Sequence, residues 1–160
     1  MGVVRVVEYR GDRAGIRWLF ELAEDSAAEL DGYLGDGTVL VAEDDGSLVG
    51  HLQLVAGAGP GSAEIKNMAV VEDRRGQGIG AALIRAAVGR AADEGRRVVL
   101  VATGAADVGN LRFYQRQGFR FRGVERDAFT PANGYPPGIM VDGIELRDRV
   151  WLDREIRPHP

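Results

Sequence analysis

Apolar positions along this chain change period several times, and each change predicts an element. Val3 to Tyr9 is a β-branched run that predicts a strand. Asp12 then stands as N-cap before Ile16, Leu19, Phe20 and Ala23, which keep helical spacing. Ser26-Ala27-Ala28-Glu29 has the form of a capping box, and Leu30, Tyr33 and Leu34 share a face before Gly35. Thr38 to Ala42 and Ser47 to Val55 predict strands joined at Asp44-Asp45-Gly46, a hairpin signal. After a turn over Gly57 to Ser62, Ala63 to Val71 predicts another strand. From Ile79 the period becomes helical: Ile79, Leu83, Ala86, Ala87 and Arg90 form one stripe, and Gly95 supplies a C-cap. Arg97 to Ala102 predicts a strand. A short helix through Leu111, Phe113 and Tyr114 follows, starting at Asp107 or at Gly109-Asn110 and ending at Gly118. Phe119 to Val124 is the next strand, Asp127 to Asp142 a loop rich in Pro and Gly, and Ile144 to Leu152 a last strand with alternating apolar positions. Helices in this order cannot all pack on one face of so mixed a sheet, which predicts a three-layer α/β/α domain. A single domain is expected over 1–154, with 155–160, His159 included, as a flexible tail.

The most informative stretch is Arg74-Arg75-Gly76-Gln77-Gly78-Ile79-Gly80-Ala81, between a strand and the long helix. A helix N-terminus leaves backbone N–H groups without partners and carries the positive end of the dipole. Glycines there let a ligand approach without Cβ atoms in the way, and two arginines precede them. Such a place binds an anion, most naturally a pyrophosphate; the plainer alternative is an ordinary turn. A P-loop is excluded, because Ile79-Gly80-Ala81 is not Gly-Lys-Ser/Thr. The dinucleotide fingerprint is nominally matched by Gly76, Gly78 and Ala81, yet the next strand ends in Thr103-Gly104 with no carboxylate for a ribose.

Bulk properties narrow the classes. The chain has 160 residues, enough for one domain that buries about two-thirds of its unfolded surface. A hydrophobic share of 45% with 28% charged is ordinary for a globular protein, and a net charge of −4 argues against general nucleic-acid binding. No apolar run is long enough to cross a membrane, and Met1 to Val6 does not read as a signal peptide or a myristoylation site. With no cysteine there is no disulfide, thiolate metal site or Cys nucleophile. Neither histidine belongs to a metal-ligand spacing or a Gly-x-Ser-x-Gly nucleophile signature, and no metal is expected. A cytoplasmic location follows as the expectation.

The glycine loop resembles the acyl-CoA signature of the GNAT superfamily of N-acyltransferases, Arg/Gln-x-x-Gly-x-Gly/Ala, which falls here on Arg75-Gly76-Gln77-Gly78-Ile79-Gly80. A second resemblance follows in the expected order. Asn110-Leu111-Arg112-Phe113-Tyr114-Gln115-Arg116-Gln117-Gly118-Phe119 is similar to the motif in which an Asn opens a helix that carries a Tyr and ends in Gly-Phe. The element order from Val3 to Leu152 is also similar to the GNAT fold, with a mixed, mostly antiparallel sheet of about seven strands and about four helices.

The resemblance implies acetyl transfer from acetyl-CoA to a primary amine by direct attack in a ternary complex. CoA would lie along Arg75 to Ala81, with Arg75, Gly76, Gln77, Gly78, Ile79, Gly80 and Ala81 as contacts. The backbone of Met68, Ala69 and Val70 would pair with pantetheine, and an N–H near Val70 would hold the oxyanion. Asn110 would hold the pantetheine arm, Arg116 would meet the 3′-phosphate, and Tyr114 would protonate the leaving thiolate with a pKa near the ordinary 10. Strand alternation sets Glu64, Lys66, Met68 and Val70 on one face, from which Glu64 would take the amine's proton through a water. His51 would stand on the acceptor side, since an ordinary histidine titrates in the range of a base. Phe129 and Tyr135, in the Pro-rich loop, would line an acceptor pocket under a lid. Each residue also has a plainer reading: a core tyrosine, a strand carboxylate paired to Lys66, a structural histidine, a solvated arginine face, a stiff surface loop. The partner expected is a small-molecule amine, and Trp151 is an apolar candidate for a homodimer contact through the last strands. A non-catalytic acyl-CoA-binding module and a protein N-terminal or lysine acetyltransferase stand as alternatives.

Overall fold

The computed structural model describes residues 3–156. Its strands are β1 (Arg5–Glu8), β2 (Thr38–Asp44), β3 (Ser47–Ala56), β4 (Ser62–Val70), β5 (Val98–Gly104), β6 (Arg120–Glu125), β7 (Met140–Val141), β8 (Ile144–Glu145) and β9 (Arg149–Glu155). The helices are α1 (Arg17–Glu21), α2 (Ala27–Tyr33), α3 (Ile79–Asp93) and α4 (Val108–Arg116), with 3₁₀ turns at Arg13–Ile16, Glu72–Arg74 and Pro131–Asn133. Seven strands form one sheet in the order β1-β2-β3-β4-β5-β9-β6, antiparallel except where β4 meets β5. This is the expected mixed, mostly antiparallel seven-stranded sheet.

Two cores sandwich it. On one face Leu83, Ile84 and Ala87 of α3, with Tyr114 of α4, pack on Leu52, Ile65, Val99, Val101 and Leu152. On the other face Leu19 and Phe20 of α1 and Leu30 and Tyr33 of α2 pack on Val39 and Val41. The helix ends follow from local chemistry. Asp12 accepts from the N–H of Ala14 and opens the first turn. Ser26 accepts from the N–H of Glu29, but the reciprocal bond of a capping box is missing, because the Glu24 carboxylate takes the Ser26 N–H instead. Asp45 and Gly46 both have positive φ, 48° and 82°, as a two-residue hairpin turn between β2 and β3 requires.

Two expectations are corrected. The last strand is not continuous over Ile144 to Leu152. Asp142 and Gly143 turn with positive φ, so Met140–Val141 and Ile144–Glu145 form their own hairpin. Leu146 then drops onto Gly104, where a Cβ would lie 2.4 Å from Leu146 Cδ1, and the chain rejoins the sheet only at Arg149. The strand also runs through Glu155, the first residue expected in the tail, while His159 lies outside the described residues.

The second correction concerns β4. Against β3 the register runs Gln53↔Asn67 and then Leu54↔Ile65, which leaves Lys66 as an extra residue. Such a bulge puts two residues opposite one and bends the strand. Ala63 and Ile65 face the α3 core, as do Met68 and Val70 beyond the bulge. Asn67 faces α1 and α2, where it bonds Phe20 O and Tyr33 Oη. Glu64 and Met68 therefore lie on opposite faces, against the alternation read from the sequence.

Candidate active site

The bulge has a topological effect. β4 pairs with β5 only from Ser62↔Val98 to Ile65↔Val101. Past that point Met68 to Val70 and Ala102 to Gly104 have no ladder between them, so the edge of β4 facing β5 is open. At the end of this gap the chain turns through Val71 to Gly78 into α3.

The turn is built to leave its amides free. Gly76 and Gly78 have φ of 76° and 82°, and a Cβ at either position would meet nothing within 4 Å. Gly78 is the N-cap of α3 and no side chain caps the helix. Among the described residues, no acceptor takes the N–H of Gly76, Gln77, Gly78, Ile79, Gly80 or Ala81; the first α3 bond outside the helix body is Ala82 N–H to Gly78 O. Six consecutive amides are thus without a protein acceptor at the positive end of a helix dipole, a place suited to an anion. The loop is held from behind. Arg74 pairs with Asp44 at 2.9 Å and bonds Gln77 Oε1 at 3.0 Å, and Arg75 Nε donates to Val70 O at 3.2 Å. Arg74 is thereby structural, and the Gln77 side chain is engaged by it.

Gly80 also has a packing role that its motif does not suggest. A Cβ there would lie 3.0 Å from Phe113 Cζ and 3.8 Å from Val70 Cγ2. It lets α4 approach the α3 N-terminus and the end of β4, which brings the two sequence motifs to one place. Ile79 is a core residue, whereas Arg75 to Gly78 are exposed.

The start of α4 is settled by Asp107, whose carboxylate accepts from Asn110 N–H at 3.0 Å. Asn110 therefore lies in the first turn rather than at the cap, and its Nδ2 donates to Thr103 Oγ1 at the end of β5. Tyr114 is buried between Phe113 and Phe119, with ring centroids 5.2 and 5.7 Å away in edge-on geometry. Burial, and then the Asp107 carboxylate, push its phenol well above the ordinary value, in place of the unshifted phenol expected. Among the described residues no group hydrogen-bonds its hydroxyl. Arg116 is exposed and has no ion pair among the described residues.

On the opposite face of the sheet, Glu64 is half-buried. Burial raises its pKa, while Lys66 and Arg149 oppose that rise. Lys66 Nζ lies 4.9 Å over the Tyr33 ring, away from Glu64's expected ion pair. His51 is fully buried. Its Nε2 meets Asn67 Oδ1 at 2.7 Å, its ring packs 4.4 Å from Phe20, and its Nδ1 has no partner. Desolvation lowers its pKa to about 4 against a smaller opposing effect of Asn67. Sealed from solvent in this structure, it is at odds with the expected place on the acceptor side.

The Pro-rich loop folds back on this face. Tyr135 is buried, packs edge-on with Phe129 at 5.0 Å, and lies close enough to Glu24 for that carboxylate to add to the effect of burial in raising its phenol. Glu24 also accepts from Tyr33 Oη at 2.9 Å, and Tyr33 Oη accepts in turn from Asn67 Nδ2. This Glu24–Tyr33–Asn67–His51 chain was not read from the sequence. Its linked members lie 9, 34 and 16 residues apart along the chain and share no motif. Arg149 was missed too, although the alternation Arg149, Trp151, Asp153 against Val150 and Leu152 marks the non-core face of β9. Among the described residues no group of three His, Asp or Glu side chains is placed to hold a metal, and no helix is long and apolar enough to cross a membrane.

A central sheet opened between two strands, with free amides at the mouth of the gap, is the arrangement that the resemblance to the acyltransferases leads one to expect. Residues 6–119 match the acetyltransferase (GNAT) family model, and the chain belongs to that family. It is 32% identical over 137 residues to YvbK, an uncharacterized N-acetyltransferase of Bacillus subtilis (strain 168), a match covering 84% of this chain and 86% of that protein. Among solved structures it is similar to an IAA acetyltransferase from Bacillus cereus ATCC 14579, at 33% identity and a TM-score of 0.87 over 96% of this chain and 99% of that one. A Bacillus subtilis acetyltransferase in complex with CoA is similar at 28% identity, with a TM-score of 0.87 over 97% of this chain and 100% of that one. The protein is an acyltransferase of the GNAT type.

Proposed function

We propose that this enzyme transfers an acetyl group from acetyl-CoA to the primary amine of a small molecule, by direct attack in a ternary complex. The observation that carries the reading is the run of six free amides from Gly76 to Ala81 at the mouth of the β4–β5 gap. The pyrophosphate of CoA takes those amides, and the pantetheine arm lies along the unpaired edge of Met68, Ala69 and Val70, next to Asn110. Arg116 is the cation offered to the 3′-phosphate. That a similar enzyme is known with CoA bound supports the choice of cofactor.

The two faces divide the chemistry. Tyr114 lies on the α3–α4 face and Glu64 on the α1–α2 face, and the gap is where the faces communicate. The amine must lose a proton to attack, since a lysine-like amine has a pKa near 10.4. Glu64, its pKa raised by burial, is a better base than a solvated carboxylate and receives that proton through a water. The carbonyl oxygen gains charge as the tetrahedral intermediate forms, and an N–H of the β4 edge near Val70 stabilises it. The C–S bond then breaks and the thiolate leaves. Tyr114, with a raised pKa, stays protonated across the neutral range and donates its O–H to the departing sulfur.

A thermal-shift titration with acetyl-CoA, CoA and NAD, followed by thiol release over a panel of amines, tests this reading. Ligand at about 100 times its dissociation constant stabilises the fold by roughly 2.7 kcal/mol, or roughly 5–11 °C in a domain of this size. The expected result is stabilisation by both CoA species and not by NAD, with thiol released by small amines. CoA binding with no thiol release from any acceptor would leave a binding module. Tyr114→Phe is expected to lower kcat with the CoA dissociation constant within a few fold of wild type; an unchanged kcat would make Tyr114 a packing residue only.

A further inference from the structure

The α1–α2 face of the sheet is covered by helices only over its first strands. Beyond β4 the register aligns the residues of this uncovered face into rows. Glu64 pairs with Leu100, and Leu100 with Asp153. Ala102 pairs with Trp151, one row nearer the gap, and Gly104 pairs with Arg149 in the row after that. Their neighbours Val99, Val101, Val150 and Leu152 point into the α3 core, so this set points the other way. Leu100, Ala102 and Trp151 are half-buried and make an apolar floor. Lys66 and Tyr33 border it, Phe129 borders it beside Arg149, and Tyr135 reaches from the loop toward the Glu24 carboxylate that also takes Tyr33 Oη.

Arg149 is the cation at the gap end of this cleft; Lys66, the other cation beside it, lies over the Tyr33 ring. Its guanidinium lies 5.0 Å over the Phe129 ring, which fixes its plane. Only Nη1 donates within the protein, to Glu125 through contacts of 3.3 and 3.4 Å. Among the described residues Nε and Nη2 donate to nothing, although the side chain is only 25% exposed. A guanidinium carries five N–H donors in a rigid fork that fits a carboxylate through two parallel bonds. A partly buried arginine stacked on an aromatic ring, with its Nε–Nη2 edge unused, is placed to receive one. The effect of Arg149 on both Glu64 and Tyr135 locates it beside the base and the loop.

We propose that Arg149 makes this enzyme selective for acceptors that carry a carboxylate close to the amine and an apolar body, as an amino acid with an apolar side chain does. The inference rests on the acetyltransferase reading of the gap. The acceptor lies with its apolar body on Leu100, Ala102 and Trp151 and its carboxylate on Nε and Nη2 of Arg149. Its amine points to the gap, within reach of Glu64. Glu64 lies in the row at the other end of the floor, where Lys66 is taken up over the Tyr33 ring, so the amine of a zwitterion is directed to Glu64 and its carboxylate to Arg149.

The test compares matched acceptors with and without the carboxylate, phenylalanine against phenethylamine and leucine against isoamylamine, by thiol release. Wild type is expected to prefer the carboxylate member of each pair at least tenfold in kcat/KM. In Arg149→Met that preference falls tenfold or more, and Arg149→Lys, which keeps the charge but not the fork, restores part of it. Equal use of the two members by wild type, or an unchanged preference in Arg149→Met, overturns the proposal. Because Arg149→Met also loses the Phe129 stack, a second measurement uses no turnover at all. 3-Phenylpropionate, which has no amine, is expected to raise the melting temperature of the CoA-saturated wild type and of Arg149→Lys more than that of Arg149→Met. No shift in wild type refutes the carboxylate site. Absence of thiol release from every amine would instead refute the small-amine reading, and the 3-phenylpropionate shift would still decide on Arg149.

Discussion

At the scale of single residues, the same side chain type is inert or available according to where its polar atoms are spent. His51 and Arg149 show the two outcomes. His51 has one nitrogen on Asn67 and the other without a partner, inside a core formed with Phe20. Its pKa is lowered from 6.5 to about 4. Between those values the unfolded chain binds a proton that the folded chain refuses, so stability is retained above pH 6.5 and lost as pH falls toward 4. This one group is expected to cost about 2 kcal/mol between pH 7 and 4.5. Urea unfolding at those two values, with wild type and His51→Gln, measures it; an equal acid loss in both proteins would assign the loss to the carboxylates. A lone strand histidine read as a structural residue or as a base is undecided in the sequence, because desolvation depends on Phe20 and Asn67, which only the fold brings beside it.

At the scale of elements, caps and turns decide where functional groups are held. Both starts offered by the sequence for α4 lie near Asn110, and the choice of Asp107 moves Asn110 from the cap into the first turn. Asp107→Ala is expected to cost about 1 kcal/mol, read as a lower urea midpoint with an unchanged m-value. It should also weaken CoA binding, since α4 carries Asn110 and Tyr114, while Asp107→Asn keeps both properties; a loss of stability with CoA affinity untouched would separate the cap from the site. Strand and helix types were legible from periodicity for β1 to β6 and for α1 to α4. The final strand was not. Its alternation of Ile144, Leu146, Val150 and Leu152 is real, but Leu146 buries itself on Gly104 outside the sheet, and period two cannot distinguish a sheet partner from a single docked side chain.

At the scale of the whole molecule, the site is a gap between β4 and β5 with different chemistry on each side, and one residue opens it. Removing Lys66 leaves Ile65 facing the α3 core, Asn67 facing α2 and Met68 again facing α3, so every flanking side chain keeps its face. Deletion of Lys66 is therefore expected to give a folded protein whose β4 continues its ladder with β5, and which CoA no longer stabilises in a thermal-shift titration. Undiminished stabilisation would show that the bulge does not make the gap. The sequence by itself determined the element types, the layered α/β class, the anion-binding turn and, through its two motifs, the family. Those are local properties: periodicity, turn residues and the chemistry of adjacent amides lie within a few residues of one another. Only the tertiary structure decided that β4 is bulged, that Glu64 and Tyr114 lie on opposite faces of the sheet, that His51 is sealed and that Arg149 has an unused edge in the cleft. Each of these depends on strand register and burial, which are set by contacts between segments distant in the chain.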